Sequence, residues 1–336
     1  MPGGPLILGG LDSTAASVSG VFQLDARTGK LHEAGALSAP LHDAAAAAIG
    51  GQVLVFGGGS ALSTDAVQAL PAPSGTVSSG TTAHQVGLLP SVRSDLSAVT
   101  IGASAYVLGG YDGSKPTDSV LQTTDGKSFS QIAVLPAPAR YMAVAALSGR
   151  IYAFGGETGS GGASAAIQEV NPRARSARVI GHLPHGLSHA SAVVIGGRIF
   201  ILGGDVNGSA SDGIWRFDPS SGSVLPAGRL PLPVADGAAA TAGSTAYLLG
   251  GIGVGEKPLR TIITLNLHRE RVAPEAGSSL QDPSVAHSSY PFAGRLMIAD
   301  RGNNRLIVVN AQKQVLWTFP SRAHPPPPGG FYFPDD

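Results

Sequence analysis

Polar residues recur at one fixed offset before pairs of glycines, a placement from which they could act together on one ligand. Each lies 14 residues before the first glycine of a Gly-Gly pair that ends a short apolar run. The five are Asp43, Asp95, Tyr141, His189 and Asp236. Carboxylate, phenol and imidazole groups bind cations and exchange hydrogen bonds. Because one offset in repeated units marks equivalent positions, we predict that these side chains form an exposed polar ring at one opening.

Two arginines stand close to this polar ring in the sequence. Arg140 directly precedes Tyr141, and Arg93 lies two residues before Asp95. A guanidinium can bind a carboxylate through two parallel hydrogen bonds. We predict that Arg140 joins the ring residues as a ligand-binding mouth, and Arg93 is a further candidate. A structural interpretation stays open for both sets of residues. An arginine at such a position commonly stacks over a turn, and a polar ring residue can satisfy the backbone of its own turn, as Asp and Ser commonly do.

The loops that follow the glycine pairs are rich in acids. They carry eight acidic residues against three basic ones, Lys115, Lys257 and Arg260. The acids are Asp12, Asp65, Asp112, Asp118, Glu157, Asp205, Asp212 and Glu256. The whole chain has 22 basic and 22 acidic residues and no net charge, which argues against a nucleic-acid partner. The local excess predicts a face that attracts a cationic ligand, although the solubility of surface loops would explain it equally well.

The elements that must position these residues follow from an internal repeat. Six apolar runs end in Gly-Gly, with first glycines at Gly9, Gly57, Gly109, Gly155, Gly203 and Gly250, so the period is 46 to 52 residues. Each period predicts four short strands: an Ala/Val-rich strand, the run ending in Gly-Gly, a third strand after a variable loop, and a fourth ending in Leu-Pro. The 47 glycines and 25 prolines favour turns between short strands and exclude a helical bundle. We predict an all-β protein whose paired glycines adopt positive φ and whose Ala-rich strands line a crowded central shaft.

These motifs resemble the kelch-repeat family over residues 1–290, with its period of about 50 residues. The resemblance implies a β-propeller built from four-stranded antiparallel blades. We favour six blades, and seven remain an alternative. The first period has no room for an Ala-rich strand before its LILGG run, so residues 282–290 are predicted to supply it.

The sequence changes character beyond the sixth glycine pair. Residues 291–320 resemble an NHL-type repeat through Asp300, Gly302, Asn303 and Arg305 between two strands. They are predicted to form either a seventh blade or the start of a second, truncated propeller. Residues 321–336 read as a proline-rich tail. The abrupt start and end suggest a segment of a longer protein.

Several kinds of chemistry are excluded or disfavoured. The chain has no cysteine, so it cannot carry out the copper chemistry of kelch propellers of the galactose oxidase type, which needs a Tyr–Cys crosslink. His182, His185 and His189 have a spacing that suits zinc on a helix, but Pro184 and Gly186 break any helix there. We therefore expect no metal site, no cofactor and no catalytic residue. No apolar run reaches membrane-spanning length.

The sequence thus favours a non-catalytic module that binds an unidentified protein or small ligand through the mouth formed by Asp43, Asp95, Arg140, Tyr141, His189 and Asp236. A cationic ligand fits the excess of acids. One alternative is a sugar-processing hydrolase or epimerase of the sialate-handling kelch type, using Arg140, Tyr141, His189 and nearby acids. Another is a scaffold for an adjoining NHL-like propeller. We expect a bacterial, extracytoplasmic protein.

Overall fold

The computed structural model describes residues 4–12, 14–72 and 77–267, together with strands at 296–300, 305–309 and 315–319. The chain forms two compact units, Met1–Arg269 and Glu270–Asp336. All regular structure in the described residues is β-strand. Over these same residues, no helix is present that is long and apolar enough to cross a membrane. The predicted all-β class is confirmed.

The first unit contains six sheets, which we number as blades in chain order. Blade 1 consists of β1 (Leu6–Leu8), β2 (Gly20–Leu24) and β3 (Leu31–Ala36), with β7 (Thr81–Thr82) parallel to β3 at its edge. Blade 2 consists of β4 (Ala45–Ile49), β5 (Gln52–Phe56), β6 (Ala66–Pro71) and β8 (His84–Leu88). Blade 3 consists of β9 (Ser97–Ile101), β10 (Ser104–Leu108), β11 (Ser119–Thr123) and β12 (Ser130–Val134).

The remaining three blades follow the same order. Blade 4 consists of β13 (Ala143–Leu147), β14 (Arg150–Phe154), β15 (Ala166–Asn171) and β16 (Ser176–His182). Blade 5 consists of β17 (Ser191–Ile195), β18 (Arg198–Leu202), β21 (Gly213–Asp218) and β22 (Ser223–Arg229), and its loop carries a short hairpin of β19 (Asp205–Val206) and β20 (Ser209–Ala210). The described part of blade 6 consists of β23 (Ala238–Ala242), β24 (Thr245–Leu249) and β25 (Ile262–Asn266).

Glycines set the turns at both ends of the second strand in blades 2 to 6. In blade 5, Gly196 and Gly197 form a two-residue hairpin with φ of +56° and +71°, the conformation of a type I′ turn. Gly109 and Gly203, which end the second strands of blades 3 and 5, have φ of +57° and +60°. The predicted positive φ of the paired glycines is therefore confirmed at both positions.

The six blades close into a ring. The Ala-rich inner strands contact one another in the order β4, β9, β13, β17, β23. Apolar clusters lie between neighbouring blades, and one of them joins Tyr247 and Leu249 of blade 6 to Leu24 of blade 1. Because the last blade packs on the first, the arrangement is a six-bladed β-propeller, as predicted.

Alternate alanines of the inner strands pack between neighbouring blades. Ala143 and Ala145 are buried among Phe154 of their own blade and Ile199 and Phe217 of blade 5. The prediction that these positions are crowded is correct. Alternate side chains of a strand point to opposite faces of its sheet, so Ala45 and Ala47 of blade 2 are buried whereas Ala46 and Ala48 are exposed.

Replacing a buried inner-strand alanine by a larger residue should therefore overpack the contact between two blades. Ala143 is only 2% exposed, so we expect Ala143→Leu to lower the free energy of unfolding by roughly 1–3 kcal/mol through overpacking. Chemical denaturation measures this change. Ala174→Leu makes the same substitution in an exposed turn and should alter stability by less than about 0.5 kcal/mol. Equal midpoints for the two variants would contradict the packing assigned to Ala143.

The first blade begins at the second-strand position, as the sequence predicts. A cavity of about 400 Å³ lies beside β1 and is lined by Leu6 and Leu8, by Ala46 and Ala48 of blade 2, and by residues 240–242 of blade 6. Residues 282–290, predicted to supply an inner strand for this blade, lie outside the described residues. Their role therefore stays a prediction.

The described part of the second unit is one antiparallel sheet of β26 (Leu296–Asp300), β27 (Arg305–Val309) and β28 (Val315–Phe319). Asp300 lies opposite Arg305 in the register of β26 and β27. Gly302, Asn303 and the tail 321–336 lie outside the described residues. The NHL-like assignment and the domain boundary at residue 290 stay predictions.

Candidate functional site

The five predicted ring residues share one backbone conformation. Each has a left-handed φ, between +52° and +58°. Each N–H from the second onward donates to the carbonyl oxygen of the equivalent residue in the preceding blade, at 2.9 to 3.1 Å. The chain of hydrogen bonds runs through Asp43, Asp95, Tyr141, His189 and Asp236. The five side chains therefore begin from one hydrogen-bonded arc of backbone that runs through five of the six blades at one end of the propeller.

The left-handed conformation explains part of the residue choice. Asp and His are enriched among non-glycine residues with positive φ, so the backbone alone favours four of the five residue types. Tyr141 is the exception, because bulky residues rarely adopt this conformation without compensating contacts. Strained backbone of this kind clusters at binding and active sites.

Charged side chains of four blades form one hydrogen-bonded network across this end. His189 contacts Asp236 through Nδ1, and its Nε2 lies 3.1 Å from Oε1 of Glu157. Arg140 donates to Oε2 of Glu157 from Nε at 2.8 Å and forms an ion pair with it through NH2 at 2.7 Å. Its NH1 donates to Oδ2 of Asp95 at 3.3 Å. The order of the network is Asp236, His189, Glu157, Arg140, Asp95.

Aromatic rings support this network from the side. Tyr141 stacks on His189 with ring centroids 4.0 Å apart, and its hydroxyl donates to Oδ2 of Asp43 at 3.4 Å. The guanidinium of Arg140 lies over the rings of Tyr111 and Tyr141, at 5.1 and 5.2 Å. Because these contacts cross blades 2 to 5, the mouth is a single connected site.

The electrostatics of the network favour a charged imidazole. Burial disfavours the imidazolium of His189, but hydrogen bonds and charges from Asp236 and Glu157 outweigh this and raise its pKa to about 9. Burial alone would raise the pKa of Glu157, yet His189 and Arg140 hold it below its usual value. At neutral pH, both ring nitrogens of His189 therefore donate.

The charged form of Asp43 is disfavoured in the mouth. Burial and the negative charges of Asp95 and Asp236 raise its pKa to about 6, and His42, 3.6 Å away, offsets this only in part. Within the described residues, neither Asp43 nor Asp236 forms an ion pair with Lys or Arg. The mouth thus keeps uncompensated negative charge next to Asp43.

A family comparison agrees with this architecture. The family model for the KLHDC2/KLHL20/DRC7 Kelch-repeats domain matches residues 96–299, more than half of the chain. The chain belongs to this Kelch-repeat family. No curated protein matches the sequence. Kelch propellers generally act as protein-binding modules.

The Kelch propeller brings together all six residues predicted for the mouth, and it corrects two details. Asp95 is not an exposed ring member, because its side chain is only 5% exposed and paired with Arg140. Arg93 does not reach the mouth. It is buried between blades, where it donates to the carbonyl of Gly109 and to Ser119, because it occupies the position that holds Leu41 and Leu187 in other blades.

Sequence reasoning missed two members of the Kelch mouth as site residues. Glu157 and Tyr111 each follow a glycine pair directly, and each bridges to the connector before the inner strand of its own blade, at Arg140 and Ser94. The sequence placed Glu157 only among the loop acids. The constant offset of one residue after Gly-Gly is the signal that would have identified both.

Most other loop acids of the Kelch propeller stabilise their own loops. Asp12, Asp112 and Asp205 accept hydrogen bonds from backbone N–H groups two to four residues further on. Hydrogen bonds from the Thr14 hydroxyl and from backbone N–H groups lower the pKa of Asp12. Bonds from the Lys115 N–H and the Ser114 hydroxyl lower the pKa of Asp112. Asp212 pairs with Arg229. These carboxylates are engaged by their own loops, whereas Asp43 pairs with no Lys or Arg in the described residues and Asp236 pairs with His189.

The raised pKa of Asp43 predicts a variant that is more stable than the wild type. A carboxyl whose pKa in the folded state lies above 3.8 contributes stability at low pH that is lost as pH rises through about 6. We expect Asp43→Asn to increase the free energy of unfolding by about 1 kcal/mol at pH 8, since this group is partly exposed, and to leave it unchanged near pH 4. Urea denaturation across this range measures the difference. Asp12→Asn, where the pKa is lowered, should change stability in the opposite direction.

Proposed function

We propose that this Kelch propeller is a non-catalytic protein-binding module whose binding site is the mouth formed by Asp43, Asp95, Arg140, Tyr141, His189 and Asp236, with Glu157. One observation carries the proposal: five blades contribute equivalent left-handed residues whose side chains converge on one cross-blade network. A site built on a rigid ring holds its polar groups in a fixed geometry and loses little conformational entropy on binding.

The protonation and the ion pairs of the polar groups favour binding over catalysis. His189 is protonated and donates from both nitrogens to carboxylates, so it has no lone pair to accept a proton at neutral pH. Burial and the charge of Asp43 raise the pKa of Tyr141, which keeps its phenol neutral. Arg140 is held by Asp95 and Glu157. These pairings disfavour the alternative of a sugar-processing hydrolase or epimerase.

Selection of peptides on the immobilised protein tests the proposal. A phage-displayed library of random peptides is the probe, and the affinities of the enriched peptides are then measured by fluorescence anisotropy. We expect Asp43→Asn and Asp236→Asn to weaken binding by about tenfold, because both carboxylates are at the opening and partly exposed.

Arg198→Gln provides the matched control. Arg198 is exposed and follows the Gly196-Gly197 hairpin, at the opposite end of the second strand from the glycine pair. Its substitution should leave the affinity unchanged. Enriched peptides that bind both mouth variants as tightly as the wild type would refute the mouth as the binding site.

A further inference from the structure

The residues that directly follow the glycine pairs form a second, outer ring around the mouth. In blades 2 to 6 each of them bridges to the connector that leads into the inner strand of the same blade. In chain order from blade 1 they are Leu11, Gly59, Tyr111, Glu157, Asp205 and Ile252. Leu11 is placed by repeat equivalence, and Ser17 of its loop lies 2.9 Å from Nδ1 of His42 in blade 2.

This outer ring has two chemically different parts. Blades 4 and 5 present the acids Glu157 and Asp205, whereas blades 6 and 1 present Ile252 and Leu11. Leu62, Val254 and Leu11 are the three most exposed large apolar side chains in the described residues, at 84%, 70% and 54%. All three lie in the loops that follow the glycine pairs of blades 2, 6 and 1. We call this group the apolar sector.

The three residues of the apolar sector lie on loops of neighbouring blades. Blades 6, 1 and 2 are consecutive in the closed ring, since blade 6 packs on blade 1. Exposed apolar residues scattered singly need no explanation, but a group on adjacent loops of one face is typical of an interaction surface. Most other large exposed apolar side chains, such as Val134 and Leu225, lie on the fourth strands of their blades.

Two carboxylates of the mouth belong to blades that also carry the apolar sector. Asp236 belongs to blade 6 and Asp43 to blade 2, so they flank blade 1 from both sides. Their side chains are 39% and 37% exposed. The bases that neutralise the mouth, Arg140 and His189, belong to blades 4 and 5, and of these only His189 reaches one of the two carboxylates. The network holds four carboxylates, Asp43, Asp95, Glu157 and Asp236, against the two cations Arg140 and protonated His189, so a cation beside the apolar sector would meet the remaining negative charge.

We propose that the apolar sector docks a partner protein through a segment in which a lysine or arginine stands next to apolar side chains. The cation lies between Asp43 and Asp236, and the apolar side chains cover Leu11, Leu62 and Val254. This inference rests on the proposed function and deepens it by naming the part of the face and the chemistry of the partner. Removal of apolar surface from water supplies affinity, and the carboxylates supply specificity and a faster on-rate.

Three synthetic peptides of equal length test the proposal by titration calorimetry. One has a central lysine flanked by leucines, the second replaces the lysine by norleucine, and the third replaces the leucines by serines. All have blocked termini. We expect the first peptide to bind at least about tenfold more tightly than the other two, and added salt to weaken only the peptides that contain lysine.

Variants of the protein then locate the binding surface. Leu62→Ser and Val254→Ser should each weaken the lysine–leucine peptide about tenfold without unfolding the protein, because both side chains are exposed. Leu225→Ser, at an exposed apolar residue on a fourth strand, should leave the affinity unchanged.

Other outcomes separate this inference from the proposed function. The proposal for the apolar sector is overturned if the lysine–leucine peptide does not bind, or if it binds Leu62→Ser as tightly as the wild type. If library peptides still bind Asp43→Asn more weakly than the wild type, the mouth remains the proposed binding site. If no substitution in the mouth changes the affinity of any peptide, both the apolar sector and the proposed function are overturned. Self-association that Leu62→Ser abolishes would show that a second copy of the chain occupies the sector, contrary to the proposal.

Discussion

Replacement of Gly203 by alanine is expected to lower the free energy of unfolding by about 3 kcal/mol. Gly203 has φ of +60°, and a Cβ at this position would overlap the carbonyl oxygen of Val234 in the connector to blade 6. That same oxygen accepts the N–H of Gly204 at 2.8 Å, so it cannot move without breaking a bond between blades. The loss combines left-handed strain with displacement of the connector. Chemical denaturation measures it.

Gly208 in the same blade separates these two contributions. It also has a positive φ, +79°, but nothing lies within 4 Å of the Cβ that alanine would add. We expect Gly208→Ala to lower stability by only about 1 kcal/mol, from backbone strain alone. If the two variants are equally stable, the close approach of the Val234 carbonyl does not constrain the protein. Because Val234 lies two residues before Asp236, Gly203→Ala should also disturb the mouth.

Replacement of Arg140 by methionine is expected to lower the free energy of unfolding by roughly 2–3 kcal/mol at pH 7. Asp95, with 5% of its side chain exposed, and Glu157, with 22%, would lose their cationic partner. A buried carboxylate that loses its partner keeps its desolvation penalty. The pKa of Glu157 is held below 4.5 partly by Arg140, so the pair contributes stability above that pH and loses it as pH falls. The destabilisation should therefore shrink under acid conditions.

A double-mutant cycle tests the origin of this effect. Asp95→Asn removes the charge that Arg140 balances, so the double variant should be more stable than the sum of the single effects predicts, by about 1–2 kcal/mol. Arg178→Met serves as control, because Arg178 is 71% exposed and pairs with Glu169 at 3.1 Å. Its loss should change stability by less than about 0.5 kcal/mol. Additive effects of Arg140→Met and Asp95→Asn would contradict the coupling.

The sequence alone determined the repeat, the strand order within a blade and the five equivalent positions before the inner strands. These follow from local chemistry: Gly203 and its equivalents need positive φ, short apolar runs need a β-sheet, and a constant offset marks equivalent places in each blade. The family and the six-bladed ring are therefore readable from the chain. The sequence also predicted that five residues occupy equivalent positions at one end of the propeller, because this prediction needs no knowledge of side-chain direction. These residues are Asp43, Asp95, Tyr141, His189 and Asp236.

Only the tertiary structure decided which of these groups contact one another and which are buried. His189 pairs with Asp236, 47 residues away, and with Glu157, 32 residues away, in blades on either side of it. The sequence pattern of one blade contains no information on the side-chain conformations of the next. Three properties depend on how adjacent blades pack: the burial of Asp95, the burial of Arg93 and the raised pKa of Asp43. Desolvation and the distances between charges are set by contacts between blades, which the sequence of one blade does not contain.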